Sequence, residues 1–216
     1  MPNIKISIII LTHNAPYYVI KTLNSLSKTK NIDYETIVVD NKSRFITKLI
    51  LFLFFNLKQI INRLLFVDEN TLFSKGNNIG VKNISNESTH ILLLNSDVRI
   101  NNPLWLEKLL SIHEFGATSF GVTTSNRADG FCFLLDKDLY LEFQLDEFYE
   151  HWWSLTKLQS EILKRGYKVK AVKSFPEYIT HFAKKSGKIK REIRKASPET
   201  VSNWFKNLEV EIIEKI

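Results

Sequence analysis

The stretch HILLLNSDVRI, residues 90–100, runs from four apolar residues straight into Asn95-Ser96-Asp97. A continuous apolar run of this kind reads as a strand buried on both faces. The Asp97 carboxylate then stands just past the strand end, where it either caps a loop or floors an active site. Two other apolar runs stop in the same way. KISIIILT (5–12) is followed by His13-Asn14, and YETIVVDNKS (34–43) reaches Asp40-Asn41. In open α/β sheets, ligands bind beyond the carboxyl ends of the strands. Three polar clusters at one such rim therefore point to a binding site more strongly than any one alone.

The elements that must hold these clusters are visible in the intervening sequence. Residues 17–26 carry Val19, Leu23 and Leu26 at helical spacing behind Pro16, and residues 62–70 contain a short strand pattern. Residues 76–85 look like the start of a helix, ahead of the 90–95 strand. Strands alternating with helices predict an α/β fold with a mostly parallel central sheet flanked by helices. Residues 138–172 read as a turn, an aromatic-rich helix closed by Gly166, and then an edge strand. In 197–216, Ser197 is placed as an N-cap with Pro198 at the first helical position, which predicts a terminal amphipathic helix.

At 216 residues the chain has the length of one ordinary domain, and 44% hydrophobic with 25% charged residues is a globular composition. The single cysteine, Cys132, excludes an internal disulfide framework and fits a reducing compartment. The run Ile8–Leu11 is too short for a signal h-region and reads as a first strand, so a cytoplasmic protein is expected. Residues 45–66 are greasier, with fifteen apolar residues in twenty-two. Their longest unbroken run, Leu49 to Phe55, falls far short of the roughly 20 a membrane span needs. A core helix is one reading; a helix at a peripheral membrane surface or a dimer contact is the other. The net charge of +7 is uneven, because residues 164–195 hold twelve Lys and Arg against Glu177 and Glu192. Such a segment can meet nucleic acid, an anionic membrane or a phosphorylated substrate, or can be a solvated face. No aromatic-basic interleaving or groove-reading motif accompanies it, so nucleic acid is not an expected partner.

Taken together, ISIIILTHN, IVVDNKS, ENTLFSKGNNIGV and HILLLNSDV, in this order and spacing, resemble the inverting family 2 glycosyltransferases of GT-A fold. The likeness is strongest to the rhamnosyltransferase-like branch, strong over about residues 5–100 and weaker over 129–187. It implies a GT-A domain over 1–187 with a basic C-terminal helical extension over 188–216. It also implies transfer of a sugar, with rhamnose one option, from a dTDP- or UDP-activated donor to a glycan, lipid-linked or protein acceptor. By that resemblance Thr12 and Asn14 edge the nucleotide pocket and Asp40 accepts a hydrogen bond from the base, with Asn41 beside it. Lys75 and a Gly76-Asn77-Asn78 turn border the sugar-nucleotide, with Asn78 and Gly80 opening a helix. A turn-and-cap role for Asn77 and Asn78 is compatible with that. Asn95 stands for the first Asp of the family's Asp-x-Asp motif, Ser96 follows, and Asp97 matches the last Asp, a ligand for Mg²⁺ or Mn²⁺. His181 takes the place of a histidine that reaches the metal or diphosphate, with Lys184, Lys185 and Ser186 behind it. The paired phosphates of such a donor need charge neutralisation, which one carboxylate with a water-rich Mg²⁺ can supply.

An inverting transfer also needs a base for the acceptor hydroxyl. Counting back from Gly166-Tyr167, the positions that are acidic in relatives fall on Ser154, Leu155 and Lys157. The candidates left nearby are Glu150, Asp146 and His151, the last with a suitable unperturbed pKa. Glu150 would serve if the helix near His151 were shifted by a turn. Asp129 is assigned to an acceptor-side loop. Trp152 and Trp153 either stack on a sugar face or pack in the core. A degenerate relative that binds nucleotide or glycan without turnover is the competing reading.

Overall fold

The computed structural model describes residues 4–183 and 194–216. Its centre is an eight-stranded sheet in the order β10-β8-β6-β7-β4-β1-β2-β3. These strands are β1 (Lys5–Thr12), β2 (Asp33–Asn41), β3 (Arg63–Val67), β4 (His90–Asn95), β6 (Gly116–Phe120), β7 (Cys132–Asp136), β8 (Lys168–Ser174) and β10 (Glu211–Lys215). All neighbours run parallel except at β7, which is antiparallel to both β4 and β6. A two-stranded antiparallel ribbon, β5 (Val98–Ile100) with β9 (Ile179–His181), stands beyond the end of β4. The expected α/β architecture is therefore the one observed.

Side-chain alternation along each strand divides the core between the two faces of the sheet. Ile6, Ile8 and Ile10 of β1 point to one face, covered by helices α1 (Pro16–Leu26), α2 (Phe45–Asn56) and α4 (Trp105–Ser111). Ile9 points to the other, covered by α3 (Leu72–Val81), α5 (Lys137–Phe143) and α6 (Trp152–Lys164). Cys132 lies wholly within the first cluster, where burial pushes its thiol pKa well up, so the thiol is inert.

Four expectations about the elements need correction. Helix α3 starts at Leu72, so Gly76, Asn77 and Asn78 lie inside it and do not form a turn. The reason is packing: a Cβ on Gly80 would sit 2.5 Å from Ile9 Cγ2, and one on Gly76 2.5 Å from Leu11 Cδ1. The glycines are one turn apart and let α3 lie directly on β1. The greasy segment 45–66 is not one core helix but α2 followed by β3, and α2 buries only Thr47, Leu51 and Phe54. Phe45, at 76% exposure, and Leu57, at 75%, lead an outward apolar face that continues through Ile46, Leu49, Phe52 and Phe66. β8 is not an edge strand, because β10 pairs with it. The expected terminal helix is correspondingly short: α7 (Pro198–Trp204) has the predicted Ser197 cap, accepting from Thr200 N, but 211–215 continue as strand. An open parallel edge at β8 is thereby closed by the chain's own end. Among the described residues no helix is long and apolar enough to cross a membrane.

Candidate active site

Beyond the carboxyl ends of β1, β2 and β4 lies a cavity of about 260 Å³. Its floor is Asn95-Ser96-Asp97, its near wall is His13 and Asn41, and α3 adds Asn77. The turn after β4 is fixed from below. The buried Thr22 hydroxyl on α1 bonds the carbonyls of Ser96 (2.9 Å) and Val98 (2.8 Å), and Val98 N–H approaches it at 3.2 Å. One hydroxyl thus holds both sides of Asp97. The β5–β9 ribbon pairs Val98 with His181, and Phe182 N–H donates to the Asp97 carbonyl at 3.0 Å. As a result the His181 ring lands beside the carboxylate.

Asp97 Oδ1 and His181 Nε2 are 3.3 Å apart, with the Asp97 side chain only 3% exposed. Two donors on one octahedral ion with bonds of about 2.1 Å lie about 3.0 Å from each other, so this pair has the spacing of a shared metal edge. Asn95 Nδ2 reaches His181 Nε2 at 3.4 Å, placing the neutral residue of the motif against the same group. The imidazole is stacked on Phe131, centroids 4.4 Å apart and planes at 15°. Phe131 in turn is tied to the strand end through Asn95 N–H to its carbonyl, 2.8 Å. A carboxylate, an imidazole and open space beside them suit Mg²⁺ or Mn²⁺, with water and substrate oxygens completing the shell.

Other expected binding residues stand one layer behind the lining. Thr12 is buried, and its hydroxyl faces the Asn14 carbonyl at 3.5 Å. Asn14, in the left-handed region at φ 60°, donates its N–H to Ser43 Oγ and accepts Arg44 N–H on Oδ1. His13 Nδ1 meets the Asn41 carbonyl at 2.7 Å, so the ends of β1 and β2 are stitched together. Asp40 is fully buried; Oδ2 accepts Ser43 N–H at 3.2 Å, while Oδ1 has no hydrogen-bond partner among the described residues. Asn41 spends its side chain on the loop before α3, accepting from Thr71 N–H and Oγ1–H and donating to Asn70.

The α3 residues divide by face. Asn77 lines the cavity with its amide donating to the Phe73 carbonyl. Asn78 instead fastens the loop after α5, donating to the Leu145 carbonyl and Glu147, and accepting from Tyr140 Oη and Leu145 N–H. Lys75 points outward to Glu69 at 3.0 Å and does not border the cavity. Successive residues on a helix are about 100° apart, so 75 and 78 cannot share the face of 77.

The far wall is the start of α6. Of the three candidate bases only His151 lines the cavity; it is the N-cap of α6 at φ 54°, with its pKa held below the ordinary value by burial. Asp146 is committed elsewhere. Its carboxylate accepts Lys157 Nζ and Phe148 N–H, and these outweigh the raising effect of burial to leave its pKa below the usual range. Glu150 does not line the cavity either; its backbone N–H donates to the Arg194 carbonyl at 3.1 Å. Leu155 borders the cavity, Ser154 bonds Ser74 Oγ at 2.7 Å, and Lys157 holds Asp146. Trp152 borders the cavity and is 58% exposed, whereas Trp153 does not line it. Asp129 also reaches the lining with Gly130. Lys184, Lys185 and Ser186 lie outside the described residues, as does the 187/188 boundary. The reach of Phe131 into the site had no separate signal in the sequence, since it lies at the start of an apolar run.

A model of the family described as Glycosyl transferase family 2 matches residues 7–169. No curated protein sequence matches the chain significantly. Among solved structures, the mannosyltransferase PcManGT from Pyrobaculum calidifontis, in complex with GDP-Man and Mn²⁺, superposes with a TM-score of 0.65 at 14% identity, covering 80% of this chain and 55% of that one. TarS 1–349 from S. aureus gives 0.59 at 17% identity, covering 74% and 55%. Its complex with UDP-GlcNAc gives 0.54 at 19% identity, covering 66% and 49%. The chain thus spans about half the length of these structures, and the likeness is one of fold.

Proposed function

The chain belongs to glycosyl transferase family 2, and on that premise we propose that it transfers a sugar, with inversion and with a divalent metal, from a nucleoside-diphosphate donor to a hydroxyl acceptor. The observation that carries the reading is the Asp97–His181 pair at 3.3 Å on the floor of the strand-end cavity. Asp97 and His181 would hold Mg²⁺ or Mn²⁺. When bound, the ion supplies positive charge to the two phosphates as negative charge grows on the leaving nucleoside diphosphate.

The rest is work for the chain's own residues. The unpartnered Asp40 Oδ1 supports recognition of a base N–H, as in uracil or thymine. Thr12, Asn14 and Asn41 hold the strand-end loops that shape the nucleotide wall, and Asn77, Asn95 and Ser96 face the diphosphate-sugar side. Trp152 offers an exposed ring on which a sugar face can stack. His151 is the favoured base. Neutral because buried, its imidazole accepts the acceptor hydroxyl's proton while that oxygen bonds the anomeric carbon and the carbon–phosphate-oxygen bond breaks. Glu150 and Asp146 are disfavoured for the role because neither borders the cavity.

The resemblance to the rhamnosyltransferase-like branch supports a dTDP- or UDP-sugar, with rhamnose a candidate, and polysaccharide biosynthesis as the setting. The relatives' complexes with UDP-GlcNAc and GDP-Man support the donor class. The acceptor would be a glycan, lipid-linked molecule or protein. The outward apolar face of α2 supports a peripheral membrane or dimer contact, and the lone thiol fits a cytoplasmic site of action. One observation favours a second reading, a binding protein without turnover: Leu155, at a position that by the family resemblance is acidic in relatives, lines the cavity and presents no proton acceptor. Mn²⁺-dependent hydrolysis or transfer of UDP- and dTDP-sugars separates the two. Turnover that Asp97→Asn abolishes supports the transferase, and tight donor binding with no turnover by any acceptor supports the second.

A further inference from the structure

The opposite rim of the sheet, where the parallel strands begin, carries a second convergence of ligating groups. Because β7 runs against its neighbours, its last residue, Asp136, pairs in register with His90, the first of β4. His113, in the loop between α4 and β6, packs its ring edge-on against His90 with centroids 5.2 Å apart. Both imidazoles turn Nε2 to one carboxylate: His113 Nε2 lies 3.2 Å from Asp136 Oδ2 and His90 Nε2 lies 3.6 Å from Oδ1. One ligand atom from each residue falls within 4.8 Å of the others. The cluster is distinct from the Asp97 site, since His90 and Asn95 are separated by the length of β4, about 17 Å at about 3.3 Å per residue.

We propose that His90, His113 and Asp136 form a binding site for a transition-metal dication of the zinc type. Zinc bonds of about 2.0–2.1 Å in a tetrahedron set neighbouring ligand atoms about 3.3 Å apart, close to the 3.2 Å between His113 Nε2 and Asp136 Oδ2, while His90 Nε2 faces the other oxygen at 3.6 Å. The 3.6 Å gap is too long for a hydrogen bond, so a proton does not close it as a bridging cation would. Each ring is also oriented from behind, as metal-ligating histidines are. His90 Nδ1 meets Thr89 Oγ1 at 2.8 Å, and His113 Nδ1 meets Thr118 Oγ1 at 2.8 Å. Hydroxyls can accept Nδ1–H, which leaves both Nε2 lone pairs facing inward. Asp136 is likewise held, by Gly116 N–H at 2.7 Å. The side chains keep 6–14% exposure, enough for an ion to enter and for water to take a fourth position. Imidazole and carboxylate without thiolate select zinc, cobalt or nickel over calcium.

The test uses the full chain carrying Asp97→Asn, which silences the strand-end site, stripped by chelator and titrated with Zn²⁺ and then Co²⁺. One equivalent should bind, Co²⁺ should give the visible absorption of a tetrahedral nitrogen–oxygen site, and Zn²⁺ should raise Tm. Adding Asp136→Asn, which still accepts Gly116 N–H, or His113→Gln should weaken binding by more than about 100-fold, beyond the loss of an outer-sphere partner. If Asp136→Asn does not fold, His90→Gln at the strand start makes the same test. No stoichiometric metal in the Asp97→Asn chain, or one equivalent retained in both triad variants, overturns the proposal.

Discussion

Gly80→Ala examines how closely α3 must lie on the sheet. A Cβ there would stand 2.5 Å from Ile9 Cγ2 and 3.3 Å from Val39 Cγ2, whereas carbon pairs rest at about 3.5–4.0 Å. Ile9 is fully buried in β1 between two paired strands, and its branched side chain has little rotamer freedom. The helix must therefore lift by about an ångström, an overpacking cost of about 1–3 kcal/mol. Replacing glycine by alanine in a helix returns about 1 kcal/mol. The net is a loss of about 1 kcal/mol, or about 2–4 °C in Tm for a chain of this size. Gly76→Ala is the control, because there the closest atoms are the Leu11 methyl ends, at 2.5 and 2.9 Å, on a partly exposed side chain that can swing into the cavity, and the next is Thr71 Oγ1 at 3.1 Å, which needs to give by a few tenths of an ångström. Its helix gain should prevail, leaving Tm level or higher. Differential scanning calorimetry of the two variants beside wild type reads the contrast. A Tm for Gly80→Ala equal to or above that of Gly76→Ala would refute the packing argument.

Asp40→Asn should weaken uridine diphosphate binding by about 10- to 150-fold, the loss of a hydrogen bond to a charged group; calorimetric affinities equal to wild type would remove Asp40 from the base pocket. His151→Gln should cut transfer by about 10²–10⁴-fold with donor binding kept, and retained transfer there alongside loss in Glu150→Gln would move the role. Since burial lowers the His151 pKa, wild-type turnover should stay flat through neutral pH and fall only as His151 protonates, with an acid midpoint below the ordinary histidine value of about 6.5; a midpoint above that value would contradict the assignment. Phe45→Glu with Phe52→Glu should abolish vesicle flotation or self-association of the chain, and a wild type that shows neither has no such contact on α2.

What the sequence disclosed and what it hid have physical reasons. β1 was legible because consecutive β-branched residues have one good home, a buried strand, and Asp97 was legible because it follows such a run. The start of α3 was not. Leu72 takes φ 61°, Thr71 at the N-cap makes no capping bond of its own, and the helix start is tied by Asn70, which accepts Leu72 N–H, and by Asn41, thirty residues earlier, which accepts Thr71 N–H. Lys75, Asn77 and Asn78 then look alike in sequence, but helix rotation sends one to solvent, one to the cavity and one to a loop. The end of the chain misleads because EVEIIEKI suits either periodicity; the vacant edge of β8, a tertiary fact, decides it. The reversal of β7, which brings Asp136 to His90, leaves no local mark at all.

In the proposed function Asp97 and His181 hold the ion that lets a nucleoside diphosphate bind. Isothermal titration of uridine or thymidine diphosphate, with and without Mn²⁺, against wild type, Asp97→Asn and Asp136→Asn tests it most directly. Mn²⁺ should tighten nucleotide binding in wild type and Asp136→Asn and do nothing in Asp97→Asn. Nucleotide affinity indifferent to Mn²⁺ in wild type, or Mn²⁺ dependence that survives in Asp97→Asn, would contradict it.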